Sequence, residues 1–272
     1  MGKPKLDFMI LMAAGMLLAP PYCIVHAQSG QDSIDAPAAV KPLRPGVTEQ
    51  GLFAELLAHN DRRADELLEY MATRTYAVRD VSGKMHAEET GRMEYQAPDR
   101  KAFTVTSEKG SGIVRRLALN PLIESEIAAA AGKEHHDSAI SPTNYSLQLV
   151  GEQQVGPYRC FVAQAIPRRI DKYLFEGKIW IDVDDYAVVR IEGRPAASLS
   201  FWIKRADFVR EYQKIGGFWL PQRDQTKVQV RFYGKKLLTI DHSDYVVKGK
   251  FRERDSDVGG VKERSAASDN IR

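Results

Sequence analysis

Cysteine is nearly absent from this sequence: the 272 residues include two, Cys23 and Cys160. Cys160 lies in the apolar segment YRCFVAQAI, a setting that favours a small buried side chain over a reactive thiol. If the N-terminal segment that contains Cys23 is removed, as its pattern predicts, one cysteine remains. An intramolecular disulfide is therefore excluded from the mature fold.

A charge bias of either sign is also missing. The chain has 39 Lys and Arg against 36 Asp and Glu, which gives a formal net charge of +3 at pH 7. Proteins that bind the phosphate backbone of nucleic acids carry a strong basic excess on one face. A nucleic-acid partner is therefore not predicted.

Catalytic and metal-binding motifs are lacking as well. The sequence has no GxSxG elbow, no Ser-His-Asp order and no paired carboxylates that indicate acid-base chemistry. His135, His136 and Asp137 form a local group of metal-ligand types, but no second pair at a zinc spacing completes it, so a solvated loop is predicted. His242 alternates with Ile240 on a late strand and is interpreted as a structural histidine. No enzyme activity, metal site or cofactor is predicted.

The first 27 residues have the pattern of a secretory signal. Two lysines precede an apolar run from Phe8 to Leu18, and the segment VHA, which ends at Ala27, supplies a small-x-small cleavage site. An uncleaved membrane anchor is disfavoured because the run is shorter than the roughly 20 residues of a membrane span. Lipid attachment at Cys23 is disfavoured because the preceding residues, PPY, are unlike a lipobox. We therefore predict a signal peptide over residues 1–27, cleavage after Ala27 and a periplasmic protein.

Composition divides the remaining chain into three parts. Residues 28–46 are polar, proline-bearing and aperiodic, and they are interpreted as a flexible leader. Residues 47–247 show the patterns of helices and strands and are predicted to form one domain. Residues 248–272 carry many charges of both signs and few apolar side chains, which predicts a disordered tail.

Residues 177–194, GKIWIDVDDYAVVRIEGR, show the clearest strand pattern. Apolar residues alternate with mixed ones up to the pair Asp184-Asp185, where the chain is predicted to turn rather than to bind calcium. The same alternation runs from Tyr145 to Val247, so this half of the chain is predicted to be an antiparallel meander. With the earlier strands the total is ten or eleven, a number at which an open sheet curls strongly or closes.

Two segments show helical spacing. The first begins at Thr48, a predicted N-cap, and is expected to run to about Thr73 as one long helix or as two short ones; the second covers Leu117 to Ala131. Their apolar stripes need a partner, and the sheet is the only large one. The predicted fold is therefore mainly β with α: a strongly curved antiparallel sheet, or incomplete β-barrel, with helices on its concave side. The predicted lid residues of the first helix are Leu56, Leu67 and Met71.

Large aromatic side chains are concentrated on the late strands. Any one of them is more often a core residue than a ligand contact, because aromatics dominate ordinary cores. Their number on neighbouring strands nevertheless suggests the wall of a deep apolar concavity beside the helices. The predicted wall consists of Trp180, Phe201, Trp202, Phe208, Phe218 and Trp219.

These features together resemble one known family. A signal peptide, an N-terminal helix, a run of strands, an internal helix and a C-terminal meander follow one another, and the meander contains the hairpin WIDVDDYAVVRIEG and the strand FWLP. The chain thereby resembles the LolA-like outer-membrane lipoprotein-sorting proteins over roughly Thr48 to Val247. The resemblance implies an incomplete barrel closed by a helical lid, and an arginine that latches this lid. Arg79 and Arg92 lie in the right part of the chain, and no local motif selects either.

The resemblance also implies a function. It is that of a periplasmic carrier that shelters acyl chains of lipids, or of lipoproteins destined for the outer membrane, with membrane-bound partners for transfer. One alternative is a non-catalytic envelope sensor or assembly module that binds a protein partner with the same fold. Another is a hydrolase of envelope lipids, for which His135, His136 and His242 would be the first residues to change. The oligomeric state is not predicted.

Overall fold

The computed structural model describes residues 39–130 and 138–250. The predicted signal peptide, residues 28–38 of the predicted leader, the His135-His136 pair and the predicted tail beyond residue 250 lie outside the described residues. Within them, ten strands form one antiparallel sheet, and helices lie before the first strand and between the third and fourth. The elements are α1 (Glu49–Glu66), β1 (Leu67–Asp80), β2 (Met85–Gln96), β3 (Arg100–Gly110), α2 (Gly112–Val114), a π-helical turn (Arg115–Leu119), α3 (Asn120–Ala130), β4 (Tyr145–Val155), β5 (Tyr158–Pro167), β6 (Phe175–Asp182), β7 (Val188–Pro195), β8 (Ile203–Ile215), β9 (Phe218–Val230) and β10 (Gly234–Gly249).

The strands lie in the order β3-β2-β1-β10-β9-β8-β7-β6-β5-β4. Neighbours in the sheet are consecutive in the chain except at one place, where β1 pairs with β10. The sheet is not closed, and β3 and β4 are its edges. The β4 edge is covered in part by the N-terminal segment, where the backbone of Lys41 exchanges two hydrogen bonds with that of Glu152 (2.7 and 2.9 Å). The predicted fold, an incomplete antiparallel barrel with helices on its concave side, is confirmed.

α1 begins where the sequence predicts it. The Thr48 side chain accepts a hydrogen bond from the backbone N–H of Gly51 (3.1 Å), which satisfies one of the free donors of the first turn. Leu52, Phe53 and Leu56 are buried along one side of the helix and pack in the apolar cluster formed by strands β4 to β8. An apolar stripe at this spacing holds a surface helix to a sheet. No helix in the two described ranges is long and apolar enough to cross a membrane.

The predicted extension of this helix to Thr73 is wrong. α1 ends at Glu66 and Leu67 begins β1, so two of the three predicted lid residues, Leu67 and Met71, lie on a strand. Leu67 packs in a cluster with Tyr70, and Met71 is exposed on the other face. Apolar spacings of three and four residues favoured a helix here. However, β1 pairs with both β2 and β10, and two ladders of hydrogen bonds outweigh the local spacing.

The hairpin predicted at residues 177–194 is present as β6 and β7. The Asp182 carboxylate accepts hydrogen bonds from the backbone N–H groups of the Asp184-Asp185 pair (3.0 and 2.7 Å), and this confirms the predicted turn. The predicted apolar and mixed faces are both present: Ile179 is buried on one face, whereas the other carries exposed Lys178 and buried Trp180. Ile179 packs under α1, and Trp180 packs in a second cluster on the opposite face.

Both helical regions lie on the same face of the sheet. The strand registers align one residue from each of nine strands into a row, and residues directly opposite one another project to the same side. Val78 and Leu238 of this row pack with α3, whereas Leu147 and Phe208 pack with α1. The concave face is therefore shared, with α1 over β4 to β8 and α3 over β1, β2 and β10. From β2 to β4 the row is Ala87, Val78, Leu238, Thr226, Phe208, Gly193, Gly177, Ala165 and Leu147.

Candidate functional site

An ion pair is buried between α3 and β1 on the concave face. The guanidinium group of Arg74 contacts the carboxylate of Glu126, and both side chains are shielded from solvent. The same carboxylate accepts hydrogen bonds from the Tyr76 hydroxyl (3.0 Å) and from the Lys101 ammonium group (3.2 Å). Four side chains thus meet where water is excluded. Arg74, Tyr76, Lys101 and Glu126 are termed the buried ion cluster below.

Regular elements place each member of the buried ion cluster. Arg74 and Tyr76 alternate along β1 on its concave side. Glu126 follows Leu122 by four residues and Ile123 by three, so it lies on the apolar side of α3 that faces the sheet. The carboxylate is therefore pointed at the strands by the same periodicity that buries the leucine and the isoleucine.

Burial and charge act against each other in this cluster. Desolvation alone would raise the pKa of the Glu126 carboxyl group, but Arg74 and Lys101 together lower it well below its ordinary value. Burial likewise opposes the charge of Arg74, but the carboxylate of Glu126 outweighs it and raises the guanidinium pKa. Burial and the adjacent carboxylate raise the pKa of Tyr76. The pair is therefore ionised, and the tyrosine is a neutral donor, across the physiological pH range.

The polar layer continues across the middle strands. His242 of β10 lies opposite Arg74 in the β1–β10 ladder, and its Nε2 is 3.3 Å from Oδ2 of Asp224 on β9. The guanidinium group of Arg210 on β8 is 3.2 Å from the other oxygen of Asp224. Burial and the nearby Arg74 lower the pKa of His242. A strip of charged side chains therefore crosses the concave face from β1 to β8, beside the apolar clusters under the two helices.

α3 covers an apolar part of the sheet next to the buried ion cluster. Leu119, Leu122 and Ile123 are buried against the strands. The π-helical turn that precedes α3 follows the short helix α2, and β3 ends at Gly110, which has a left-handed φ of +74°. Interrupted helices of this kind often mark hinges and functional sites. The strand residues beneath α3 are Tyr76, Val78, Ala87, Leu238 and Ile240.

The aromatic residues of the predicted wall lie in four separate places. Phe208 is buried beneath α1, whereas Phe218 is buried in the cluster around Tyr70. Phe201 and Trp202 are exposed in the connection between β7 and β8. The structure therefore does not bring the six side chains together.

Trp180 and Trp219 form the fourth group. Trp180 alternates with Ile179, so it projects from the face opposite α1, where it packs with Trp219. The Trp180 indole N–H donates to Oε1 of Gln153 (2.7 Å), and the Trp219 indole N–H donates to Oδ2 of Asp185 (2.8 Å). Both indoles find their hydrogen-bond partners inside the protein, as is usual for core residues.

The histidines do not assemble a metal centre in the described ranges. No group of three or more His, Cys, Asp or Glu side chains that could hold a metal ion occurs in residues 39–130 and 138–250. His242 is buried beside Asp224. His135 and His136 lie outside the described residues.

The arginine that contacts the covering helix is Arg74, which sequence reasoning missed. Arg79 and Arg92, the two arginines considered from the sequence, pair instead with neighbouring strand residues, Glu88 (3.4 Å) and Glu94 (2.9 Å). A signal was nevertheless present. The segment LIESEIAAA has a carboxylate at a position that its periodicity buries, and a buried carboxylate requires a cation.

Comparison with known proteins gives structural likenesses. No protein-family model and no curated protein matches the sequence. Among solved structures, an outer membrane lipoprotein-sorting protein domain from Vibrio parahaemolyticus matches at 12% identity, over 76% of this chain and 97% of that one, with a TM-score of 0.44. A LolA superfamily protein from Nitrosomonas europaea matches at 10% identity (75% and 94% covered, TM-score 0.36). The MucA/MucB complex of Pseudomonas aeruginosa matches at 12% identity (70% and 92% covered, TM-score 0.25). The predicted LolA-like resemblance is confirmed to this extent, and the likenesses concern the fold alone.

Proposed function

We propose that this chain is a non-enzymatic binding protein of the cell envelope that shelters acyl chains of a lipid or lipoprotein between α3 and the concave face of the sheet. The observation that carries the proposal is the buried ion cluster, which fastens a covering helix over apolar strand residues. The proposed compartment is the periplasm, because the first 27 residues have the pattern of a secretory signal. Exchange of the cargo with membrane-bound partners belongs to the same proposal.

The surface beneath α3 has the chemistry that an acyl chain needs. Movement of α3 would uncover Tyr76, Leu238 and Ile240 of the strands, together with Phe103, which contacts Tyr76 edge to face. An acyl chain gains about 0.8 kcal/mol for each CH₂ group that it buries. A bound acyl chain would replace the contacts that Leu122 of α3 makes with the sheet. The lipid and the helix would therefore compete for the same strand residues.

The ion pair suits a cover that opens and closes. The attraction between Arg74 and Glu126 is largely offset by the free energy needed to remove both charges from water, so the net stabilisation of the closed position is small. When α3 moves away, both side chains regain water. The pair therefore fixes the position of the helix without holding it permanently shut.

Lipid bound to the purified protein is the first test. Protein isolated from a periplasm should show lipid adducts in native mass spectrometry, and organic extraction should release molecules with acyl chains. A bare mass with a stably bound protein partner would favour an assembly module and would contradict the carrier. Loss of lipid-ester turnover in His242→Asn, at unchanged thermal stability, would identify a hydrolase instead.

The role of α3 can be tested by the rate at which a pyrene-labelled fatty acid enters the protein. Glu126→Gln leaves the cations without their partner and should speed entry, whereas the triple change Arg74→Met, Lys101→Met and Glu126→Leu should hold the helix more firmly and slow it. Arg223→Gln is the control, because its ion pair with Asp241 (3.0 Å) is exposed. Equal rates in all four proteins would exclude α3 as the cover.

A further inference from the structure

Exposed apolar side chains are concentrated at one end of the sheet. Six large ones are each at least 64% exposed, and all six lie in segments that directly follow a strand at the end where β1, β3, β5, β7 and β9 finish. We term this the aromatic end; it comprises the connections 81–84, 168–174, 196–202 and 231–233 and residues 111–113, which include the start of α2. The six residues are Val81, Ile113, Ile170, Phe201, Phe232 and Tyr233.

The opposite end of the sheet differs. Its connections are residues 97–99, 156–157, 183–187 and 216–217, and all of them fall in the described part of the chain. None of these four connections carries a large exposed apolar side chain. Because scattered surface hydrophobics need no explanation but a one-sided concentration does, the aromatic end is a candidate interaction surface.

Aromatic rings from two connections meet at the centre of the aromatic end. Phe201 and Trp202 contact edge to face with ring centroids 5.5 Å apart, and Trp202 lies 6.4 Å from Phe232. The guanidinium group of Arg231 lies 4.6 Å from the centre of the Phe201 ring, and its Nε donates to the Phe201 carbonyl oxygen (2.6 Å). The rings and the cation therefore form one organised projection rather than separate loose side chains.

Phe232 occupies its position at a conformational disadvantage. Its φ is +66°, a left-handed value that bulky side chains rarely adopt, and the side chain is 88% exposed. Glycine would adopt the same backbone without strain. The strained backbone therefore presents a large aromatic ring to the surroundings rather than to the core.

The charge around the rings identifies the partner. Segments 199–206 and 226–237, which flank the aromatic projection, contain six Lys and Arg and no Asp or Glu, although the whole chain is nearly balanced. One of the six, Arg205, pairs with the adjacent Asp207, so five cations are left to face a partner. A surface with aromatic rings at its tip and cations around them matches the headgroup region of a bilayer that contains anionic lipid.

We propose that the aromatic end docks on an anionic phospholipid bilayer, with the rings of Phe201, Trp202, Phe232 and Tyr233 at headgroup depth and the surrounding cations against lipid phosphates. This surface lies outside the cover formed by α3, so the proposal stands independently of acyl-chain binding. It assigns the chain a membrane-facing side. The strands then run away from the bilayer.

Tryptophan fluorescence offers a direct test. Trp180 and Trp219 are buried, and Trp202 lies at the aromatic end. With vesicles of phosphatidylglycerol and phosphatidylethanolamine in equal parts, Trp202 emission should shift to shorter wavelength, and brominated acyl chains should quench it. Added salt should weaken binding because lipid and protein charges are screened. Absence of quenching, or equal binding to pure phosphatidylcholine, would overturn the proposal.

Variants separate docking from folding. Phe232→Gly relieves the left-handed strain, so it should preserve stability while vesicle affinity falls about tenfold. The double change Lys204→Gln and Lys235→Gln should lower affinity roughly fivefold for each charge. Met71→Ser removes an exposed apolar side chain near the other end and should have no effect. Unchanged flotation of both docking variants with vesicles, or self-association that Phe232→Gly abolishes, would overturn the proposal.

Discussion

Arg74 of β1 and Glu126 of α3 form an ion pair in which the two side chains are 1% and 4% exposed. Removing one member of such a pair leaves a buried charge without a partner, whereas replacing the whole group by apolar residues removes the attraction and the desolvation penalty together. Single and combined substitutions at this site should therefore have very different effects on the free energy of unfolding.

Glu126→Gln is expected to destabilise the fold by about 3–5 kcal/mol, because Arg74 and Lys101 would remain as buried cations. Urea unfolding at neutral pH measures this change. The triple replacement Arg74→Met, Lys101→Met and Glu126→Leu should recover most of the loss. A triple variant as unstable as the single one would show that packing shape, rather than charge, governs this site.

Stability should fall as the pH drops below about 6.5, the ordinary pKa of histidine. Burial and the nearby Arg74 lower the pKa of His242 in the folded state, although Asp224 opposes this. The unfolded chain therefore takes up a proton that the folded chain resists, and the folded state loses up to about 1.4 kcal/mol per pH unit.

The His242→Asn variant should lack this part of the slope. Urea unfolding from about pH 7.5 to about pH 5.5 gives the comparison. His59, whose pKa is also lowered, chiefly by burial, contributes equally to both proteins and cancels. Identical slopes would mean that His242 accepts a proton in the folded state as readily as in the unfolded one.

Gly177→Ala should destabilise the protein by about 1–3 kcal/mol through overpacking. Gly177 of β6 and Gly193 of β7 are direct partners, and a Cβ on the first would meet the backbone of Glu192 and Gly193. Gly217→Ala is the control, because open space surrounds its Cβ position. Thermal unfolding distinguishes the two, and equal melting temperatures would show that the strands can separate to admit a methyl group.

A charge should be tolerated at one predicted wall residue and not at another. Phe218→Asp would bury a carboxylate in the cluster with Tyr70 and should destabilise the fold by about 3 kcal/mol or more. Trp202→Asp should cost about 1 kcal/mol or less, because the side chain is 38% exposed and its ring contacts lie at the surface. Denaturant midpoints test both, and a mild effect at Phe218 would indicate an open cavity there.

Local patterns were sufficient to predict most of the sheet. The hairpin at residues 177–194 has period-two alternation and an acidic turn, and both are properties of a few neighbouring residues. Pro221 lies within β9, although proline has no backbone N–H to donate to a ladder of hydrogen bonds. The structure keeps one strand by placing Pro221 next to a bulge opposite Tyr212, where the ladder is already irregular.

Long-range relationships were beyond local patterns. Leu67 and Met71 fit helical spacing, and only the pairing of β1 with β10 makes them strand residues. Arg74 and Glu126 are separated by 52 positions, and their meeting depends on how α3 crosses the sheet. The six residues of the predicted wall are all aromatic. In the structure, however, some lie on the concave face of the sheet, some on the opposite face and some in a connection between strands. Spacing reveals which face of an element is buried, not which element buries it.

The pairing of β1 with β10 has a consequence for the order of folding. The first strand of the sheet finds one of its two neighbours only in the last, through contacts such as Tyr76 with Ile240. Contacts this distant in the chain are slow to form, because a long loop must close before they add stability. Until β10 is available, β1 and β9 each present an unpaired edge able to capture a strand from another chain. β10 alone joins strands β1 to β3 to strands β4 to β9, so its removal would leave two smaller sheets, each with a newly exposed edge.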